Sequence, residues 1–148
     1  CFDTELPIVT ADGDSGQVVI PTETGNITIM NFWGTWCTPC VAELPYFDRI
    51  ASDYADEVCV IAIHSSLSSE TAPAYIADRY PESLMVFAKD DAADATGLNG
   101  AYYSALGGRG AYPYTLVMDE NGIVLEVFVS SVEYEDLQQV VEARLNAR

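Results

Sequence analysis

The sequence predicts an α/β fold whose central sheet is mixed, a parallel βαβ half joined to an antiparallel ββα half and flanked by helices. An N-terminal extension and an insertion between the two halves complete it. Three observations carry this expectation. Short apolar, β-prone runs at Ile27 to Trp33, Val58 to Ile63 and Leu84 to Ala88 alternate with stretches of helical periodicity. Asp119-Glu120-Asn121-Gly122 separates two further β-rich runs, and Asn-Gly in that setting is a strong hairpin signal. The chain then finishes on an amphipathic helical pattern.

Taken in order, residues 1–26 mix Pro, Gly, Asp and Thr with one β-prone run, Val18-Val19-Ile20, and read as an extended lead-in with an edge strand. Ile27 to Trp33 alternates poorly but is apolar, which suits a strand covered on both faces. From Cys37 to Tyr54, Val41, Leu44, Phe47, Ile50, Ala51 and Tyr54 recur at three- and four-residue steps, a helix in which Pro45 predicts a kink. A strand at Val58 to Ile63, a helix around Glu70 to Tyr80 and a strand at Leu84 to Ala88 follow, with right-handed crossovers expected. Asp90 to Leu106 is Ala-rich and helix-compatible, weakened by Gly97 and Gly100. Tyr114 to Met118 and Ile123 to Val129 form the hairpin. A last helix is expected to begin at Ser130, with Ser130-Ser131-Val132-Glu133 as a capping box and Tyr134, Leu137, Val141 and Leu145 on its inner face. With 148 residues, 49% of them apolar, and no internal repeat or linker, one domain over 1–148 is expected.

Charge narrows the function. Against 23 acidic residues stand 6 basic ones, a net charge of −17, with a single lysine at position 89. Nucleic acid and anionic lipid both demand clustered cations, so neither is an expected partner. The acidity suits a soluble surface and would favour basic protein partners. No run of 18 apolar residues and no signal segment is present. Cys1 leaves three readings open: a lipid-modified first residue, the cut end of a longer chain, or an ordinary cysteine.

The chemistry gathers at Trp36-Cys37-Thr38-Pro39-Cys40, where a strand ends and a helix begins. Unpaired N–H groups at a helix start favour negative charge and so raise the thiolate fraction of a cysteine placed there. Cys37, nearest that end, is expected to be the exposed nucleophile. Cys40, one turn deeper, lies within disulfide reach at a Cα separation of about 5 Å. Pro39 is tolerated because the first helical turn has no use for its missing N–H. A zinc site would need two more ligands, and Cys59 and His64 do not make a second knuckle, so no metal is expected. Haem attachment needs a histidine after the second cysteine, where Val41 stands. A purely structural disulfide across so short a loop would restrict little chain entropy.

The run Asn31-Phe32-Trp33-Gly34-Thr35-Trp36-Cys37-Thr38-Pro39-Cys40, with Glu43 and Pro45 after it and Tyr112-Pro113-Tyr114-Thr115 further on, resembles the TlpA/ResA branch of the thioredoxin superfamily over roughly Ile27 to Arg148. The resemblance implies a thioredoxin fold and a thiol-disulfide oxidoreductase that needs no cofactor beyond the Cys37–Cys40 disulfide. It implies a functional acid at Glu43, where cytoplasmic thioredoxins use an Asp on the preceding strand and this chain has Asn31. A buried Glu there would carry a raised pKa and pass protons to and from Cys40. It implies further that Pro113 is a cis-proline, and that Tyr112, Pro113, Trp36, Thr38 and Pro39 contact an extended substrate segment. The implied partners are protein disulfides, including those of apocytochrome c, and a membrane thiol electron donor. The implied location is extracytoplasmic; a monomer is expected, with any membrane attachment through Cys1 if that residue is the lipid-modified one. An oxidase or isomerase on the same sulfurs and a Cu(I)-handling module are the alternatives. No peroxidatic cysteine supported by Thr and Arg is evident. His64 is expected at a strand end as a loop histidine, Cys59 as a small buried hydrophobe with pairing to Cys1 open, Trp33 as core or rim, and Arg109 as a solvated loop residue.

Overall fold

A computed structural model of the chain describes residues 4–10, 13–20, 26–64, 71–90, 101–108 and 112–147. The elements run β1 (Thr4–Thr10), β2 (Gly13–Ile20), β3 (Ile27–Trp33), α1 (Thr38–Asp53), β4 (Val58–His64), α2 (Ala72–Arg79), β5 (Val86–Lys89), α3 (Ala101–Ala105), β6 (Tyr114–Met118), β7 (Val124–Val129) and α4 (Tyr134–Asn146). They build a seven-stranded sheet in the order β2-β1-β5-β4-β3-β6-β7. β3, β4 and β5 are parallel, while β6 and β7 run antiparallel beside β3, so the mixed sheet is as expected. The lead-in carries the expected edge strand, β2, over Val18-Val19-Ile20, and adds one that was not expected: β1 pairs with β2 and joins β5 through Ile8 and Ala88. Pro7 inside β1 hid that strand, because proline lowers the β reading of a run; here it sits beside the register irregularity between Pro7 and Val9.

Side chains alternate across β3, and both faces are covered. Ile27, Ile29 and Trp33 face one way with Leu44, Phe47 and Ile50 of α1, Ile76 of α2 and Leu137 and Val141 of α4. Met30 and Phe32 face the other way with Ile61, Ile63, Leu116 and the α3 tyrosines Tyr102 and Tyr103. Burying each such aliphatic or aromatic side chain is worth about 1.5–3 kcal/mol, so this double core fixes β3 and with it the loop that follows.

The last helix is the main correction. It begins at Tyr134 rather than Ser130, and Asp136 rather than a Ser130 box accepts the Glu133 N–H at 3.0 Å. Ser130 stands at φ 99, outside helical space, and its N–H goes to the Pro113 carbonyl at 3.0 Å. The Val132 N–H is likewise taken, by the Glu43 carboxylate at 2.9 Å. The positive φ of Ser130 keeps it out of the helix, and the two N–H groups a Ser130 box would have used, those of Ser130 and Glu133, go instead to the Pro113 carbonyl and to Asp136. The helix expected over Glu70 to Tyr80 is Ala72–Arg79, and α1 continues through Pro45 to Asp53. Of the insertion, Ala101–Ala105 is helical and residues 91–100 lie outside the described residues.

Candidate functional site

β3 ends at Trp33, and the chain turns through Gly34, Thr35 and Trp36 into α1. The Cys37 N–H closes that turn on the Gly34 carbonyl at 3.0 Å. Cys37 is the N-cap of α1, with φ −100 and ψ 101, and its Sγ accepts the Cys40 N–H at 3.3 Å. The sulfur therefore occupies the position in which a serine or aspartate oxygen usually caps a helix, where a negative charge is favoured. Cys37 and Cys40 form a disulfide with S–S 2.11 Å and Cα–Cα 5.2 Å. Pro39 falls in the first turn, as its missing N–H allows. Cys37 is 6% exposed and Cys40 fully buried, so the expected order holds while the expected openness does not. Bonded to Cys40, the outer sulfur belongs to the cluster around Leu44 and Trp33.

Glu43 follows one turn below Cys40 and is 2% exposed. Its Oε1 accepts from Asn31 Nδ2 at 3.0 Å and its Oε2 from the Val132 N–H at 2.9 Å. Asn31 Nδ2 also donates to Thr115 Oγ1 at 3.0 Å. The strand register explains this cluster: Asn31 and Thr115 are paired neighbours in β3 and β6, so their side chains leave the sheet together toward α1. Burial raises the Glu43 pKa from 4.5 to about 7, outweighing the Val132 and Asn31 hydrogen bonds, which lower it. A carboxyl balanced near neutrality is suited to exchanging protons, as a group beside a thiol pair must when the disulfide opens.

The Tyr112–Pro113 bond is cis, as the resemblance implied. Its loop is fastened by the Ser130 N–H to the Pro113 carbonyl, and the Tyr112 ring stands edge-on to Trp36 at 5.2 Å and 85°. Trp36 is 44% exposed and forms the rim. Its indole folds back over Gly34, where a Cβ would lie 2.5 Å from the ring. Thr38 and Pro39 are exposed beside it.

His64 corrects its expectation. It is not a loop residue but the buried last residue of β4, whose Nε2 accepts the Thr35 N–H at 3.1 Å and so supports the turn before Cys37. Thr35 is further held by Thr71 through their hydroxyls at 2.5 Å. Trp33 is core, packed on His64, Tyr75 and Phe87. Cys59 is a free, half-buried thiol on β4 whose pKa burial pushes up. Cys1 and Arg109 lie outside the described residues. Among the described residues, no group of three or more His, Cys, Asp or Glu is placed to hold a metal, and no helix is long and apolar enough to cross a membrane.

Sequence reasoning missed the partners that hold the site: Thr115, the Val132 N–H and the acceptor role of His64. One signal was available, since Asn31 and Thr115 are polar residues within strands otherwise apolar around them.

A family model described as Redoxin matches residues 3–143. Among curated proteins, the chain is 29% identical over 120 residues to the thioredoxin-like protein YneN of Bacillus subtilis, covering 80% of this chain and 65% of that one. It is 27% identical over 123 residues to the thiol-disulfide oxidoreductase ResA of Geobacillus thermodenitrificans, covering 80% and 63%. The chain thus spans just under two thirds of the length of these relatives. Among solved structures, a candidate thiol:disulfide interchange protein DsbE from Chlorobium tepidum superposes with a TM-score of 0.74 at 25% identity, over 96% of this chain and 92% of that one. The exposed lipoprotein thioredoxin of Streptococcus pneumoniae gives 0.74 at 20% identity, over 96% and 99%, and shares the fold. The architecture is the thioredoxin fold.

Proposed function

The chain belongs to the Redoxin family, and from that premise we propose that it is a thiol-disulfide oxidoreductase that reduces protein disulfides through Cys37 and Cys40. The observation that carries this reading is the Cys37 sulfur capping α1 while bonded to a buried Cys40. In the reduced protein the Cys37 thiolate attacks one sulfur of a substrate disulfide. A Cys37–substrate S–S bond forms, the substrate S–S bond breaks, and the substrate's other sulfur leaves as thiolate and takes a proton. Cys40 then loses its proton and attacks Cys37, which restores the Cys37–Cys40 bond and frees the second substrate thiol. Two electrons and two protons have passed to the substrate, and an external dithiol donor must return them. Glu43 is the proposed acceptor and donor of the Cys40 proton, since it follows by one turn and is balanced near pH 7. Asn31 and the Val132 N–H hold its carboxylate in place.

Substrate contact is assigned to Trp36, Thr38 and Pro39 beside Cys37 and to Tyr112 and Pro113 of the cis-proline loop, whose Tyr112 ring meets Trp36. An extracytoplasmic site of action, a membrane thiol donor and a role in cytochrome c maturation belong to the same proposal. The resemblance to ResA supports them, and fractionation of cells tests the first. The activity is tested by insulin reduction with dithiothreitol as donor. Wild type is expected to accelerate it and Cys37→Ser to lose that acceleration; a serine variant as active as wild type overturns the assignment.

A further inference from the structure

Helix α3 lies in the insertion between the two halves of the fold, yet it reaches the rim of the sulfur site. Tyr103 on α3 stacks on Tyr112 with ring centroids 4.6 Å apart and planes 13° from parallel. Tyr112 in turn meets Trp36 edge-on. Exposure rises along this row, from Tyr103 at 1% through half-buried Tyr112 to Trp36 at 44%. The buried end is rigidly placed. Phe32 and Tyr114 contact the Tyr103 ring edge-on at 5.4 and 5.5 Å. Buried Asp90 accepts the Tyr102 and Tyr103 N–H groups at 3.1 and 2.8 Å. Gly108 passes so close that a Cβ there would stand 2.4 Å from the Tyr103 ring. The Tyr114 hydroxyl, donating to the Leu106 carbonyl at 2.8 Å, ties the end of α3 to the strand that follows Pro113.

We infer that Tyr103 is a positioning residue that sets substrate choice, holding Tyr112 so that Tyr112 and Trp36 form an aromatic clamp for a bulky apolar side chain beside the cysteine of a polypeptide disulfide. The inference rests on the exchange activity proposed above and adds a residue and a substrate class to it. Its physical basis is preorganisation. A ring fixed by a stack loses little freedom when a substrate side chain packs against it, so the contact gives affinity instead of being spent on ordering. The clamp stands beside the sulfurs, so only a substrate extending past its own disulfide reaches it. Small disulfides react without it.

The test uses the full chain and two substrates, insulin and hydroxyethyl disulfide, with Tyr103→Leu, Tyr103→Phe and Trp36→Leu. Tyr103→Leu is expected to lower kcat/KM for insulin by roughly two- to tenfold, the range an aromatic pair's contribution corresponds to, mainly through KM. Hydroxyethyl disulfide reduction and the Cys37–Cys40 potential should stay at wild-type values. Tyr103→Phe keeps the stack and should restore insulin reduction. Trp36→Leu, at the exposed end where folding is not at stake, should also raise the KM for insulin, and an unchanged KM counts against the clamp. Equal losses on both substrates, no loss on insulin, or a Tyr103→Phe as impaired as Tyr103→Leu overturns the inference. A wild type that reduces neither disulfide overturns the exchange activity itself, an outcome distinct from all of these.

Discussion

Replacing Glu43 by Gln removes one buried charge and little volume, and the structure says how stability should respond. The folded-state pKa of Glu43 is raised from 4.5 to about 7, so the folded protein binds a proton there that the unfolded chain has already released. The stability linked to that proton is fully present below pH 4.5 and is lost as pH rises through about 7. Summed over the shift, the loss comes to roughly 3 kcal/mol, most of it between pH 5 and pH 8. In Glu43→Gln the introduced side chain would keep one oxygen for the Val132 N–H, and its amide nitrogen would face Asn31. Asn31 Oδ1 is buried without a partner, so a half-turn of the Asn31 amide brings an acceptor to that nitrogen and to the Thr115 hydroxyl. The variant should therefore gain on wild type as pH rises, by roughly 2–3 kcal/mol between pH 5 and pH 8. Urea unfolding of the oxidised proteins at both pH values reads this directly, because the disulfide keeps Cys37 and Cys40 from titrating. A stability difference that is the same at pH 5 and pH 8 would refute the argument that Glu43 is held near neutrality by burial.

The neighbours of the site give further expectations. Asn31→Asp sets a second carboxylate against Glu43 Oε1, and since two adjacent carboxyls resist joint ionisation, the Glu43 midpoint should rise above about 7 and stability above neutral pH should fall. Urea unfolding against pH checks this, and an unmoved midpoint contradicts it. His64→Leu removes the acceptor of the Thr35 N–H and should cost about 1–3 kcal/mol, with faster amide exchange at Thr35; exchange as slow as in wild type would show that His64 does not hold the turn. Gly34→Ala brings a methyl group within 2.5 Å of the Trp36 indole, so the ring must move and its fluorescence emission should shift. An unchanged spectrum would mean that the indole does not rest on Gly34.

How much of this was legible in the sequence follows from the range of each interaction. The central strands and the Asn121-Gly122 hairpin were readable because apolar β-prone runs and turn residues are local signals. The cysteine pair was readable for the same reason, since its cap, its disulfide and its proline lie within four residues. What surrounds the pair was not. Glu43 meets Val132 across 89 positions through the packing of α1 against the segment before α4, and Asn31 meets Thr115 across 84 through the β3–β6 register. The misplaced start of α4 has a similar origin, because Ser130-Ser131-Val132-Glu133 satisfies a local capping pattern while the Ser130 N–H goes to the distant Pro113 carbonyl and the Glu133 N–H to Asp136. His64 was misplaced by a single residue, as β4 runs one step further than its apolar run suggested.

The most direct test of the account is alkylation of the fully reduced protein by iodoacetamide at pH 6, with each cysteine located by mass spectrometry. A sulfur at the mouth of α1 should keep thiolate character where ordinary thiols are protonated, so Cys37 is expected to be modified first and Cys40 and Cys59 to lag far behind. Labelling of Cys40 as fast as Cys37, or a Cys37 no more reactive than Cys59, would contradict it.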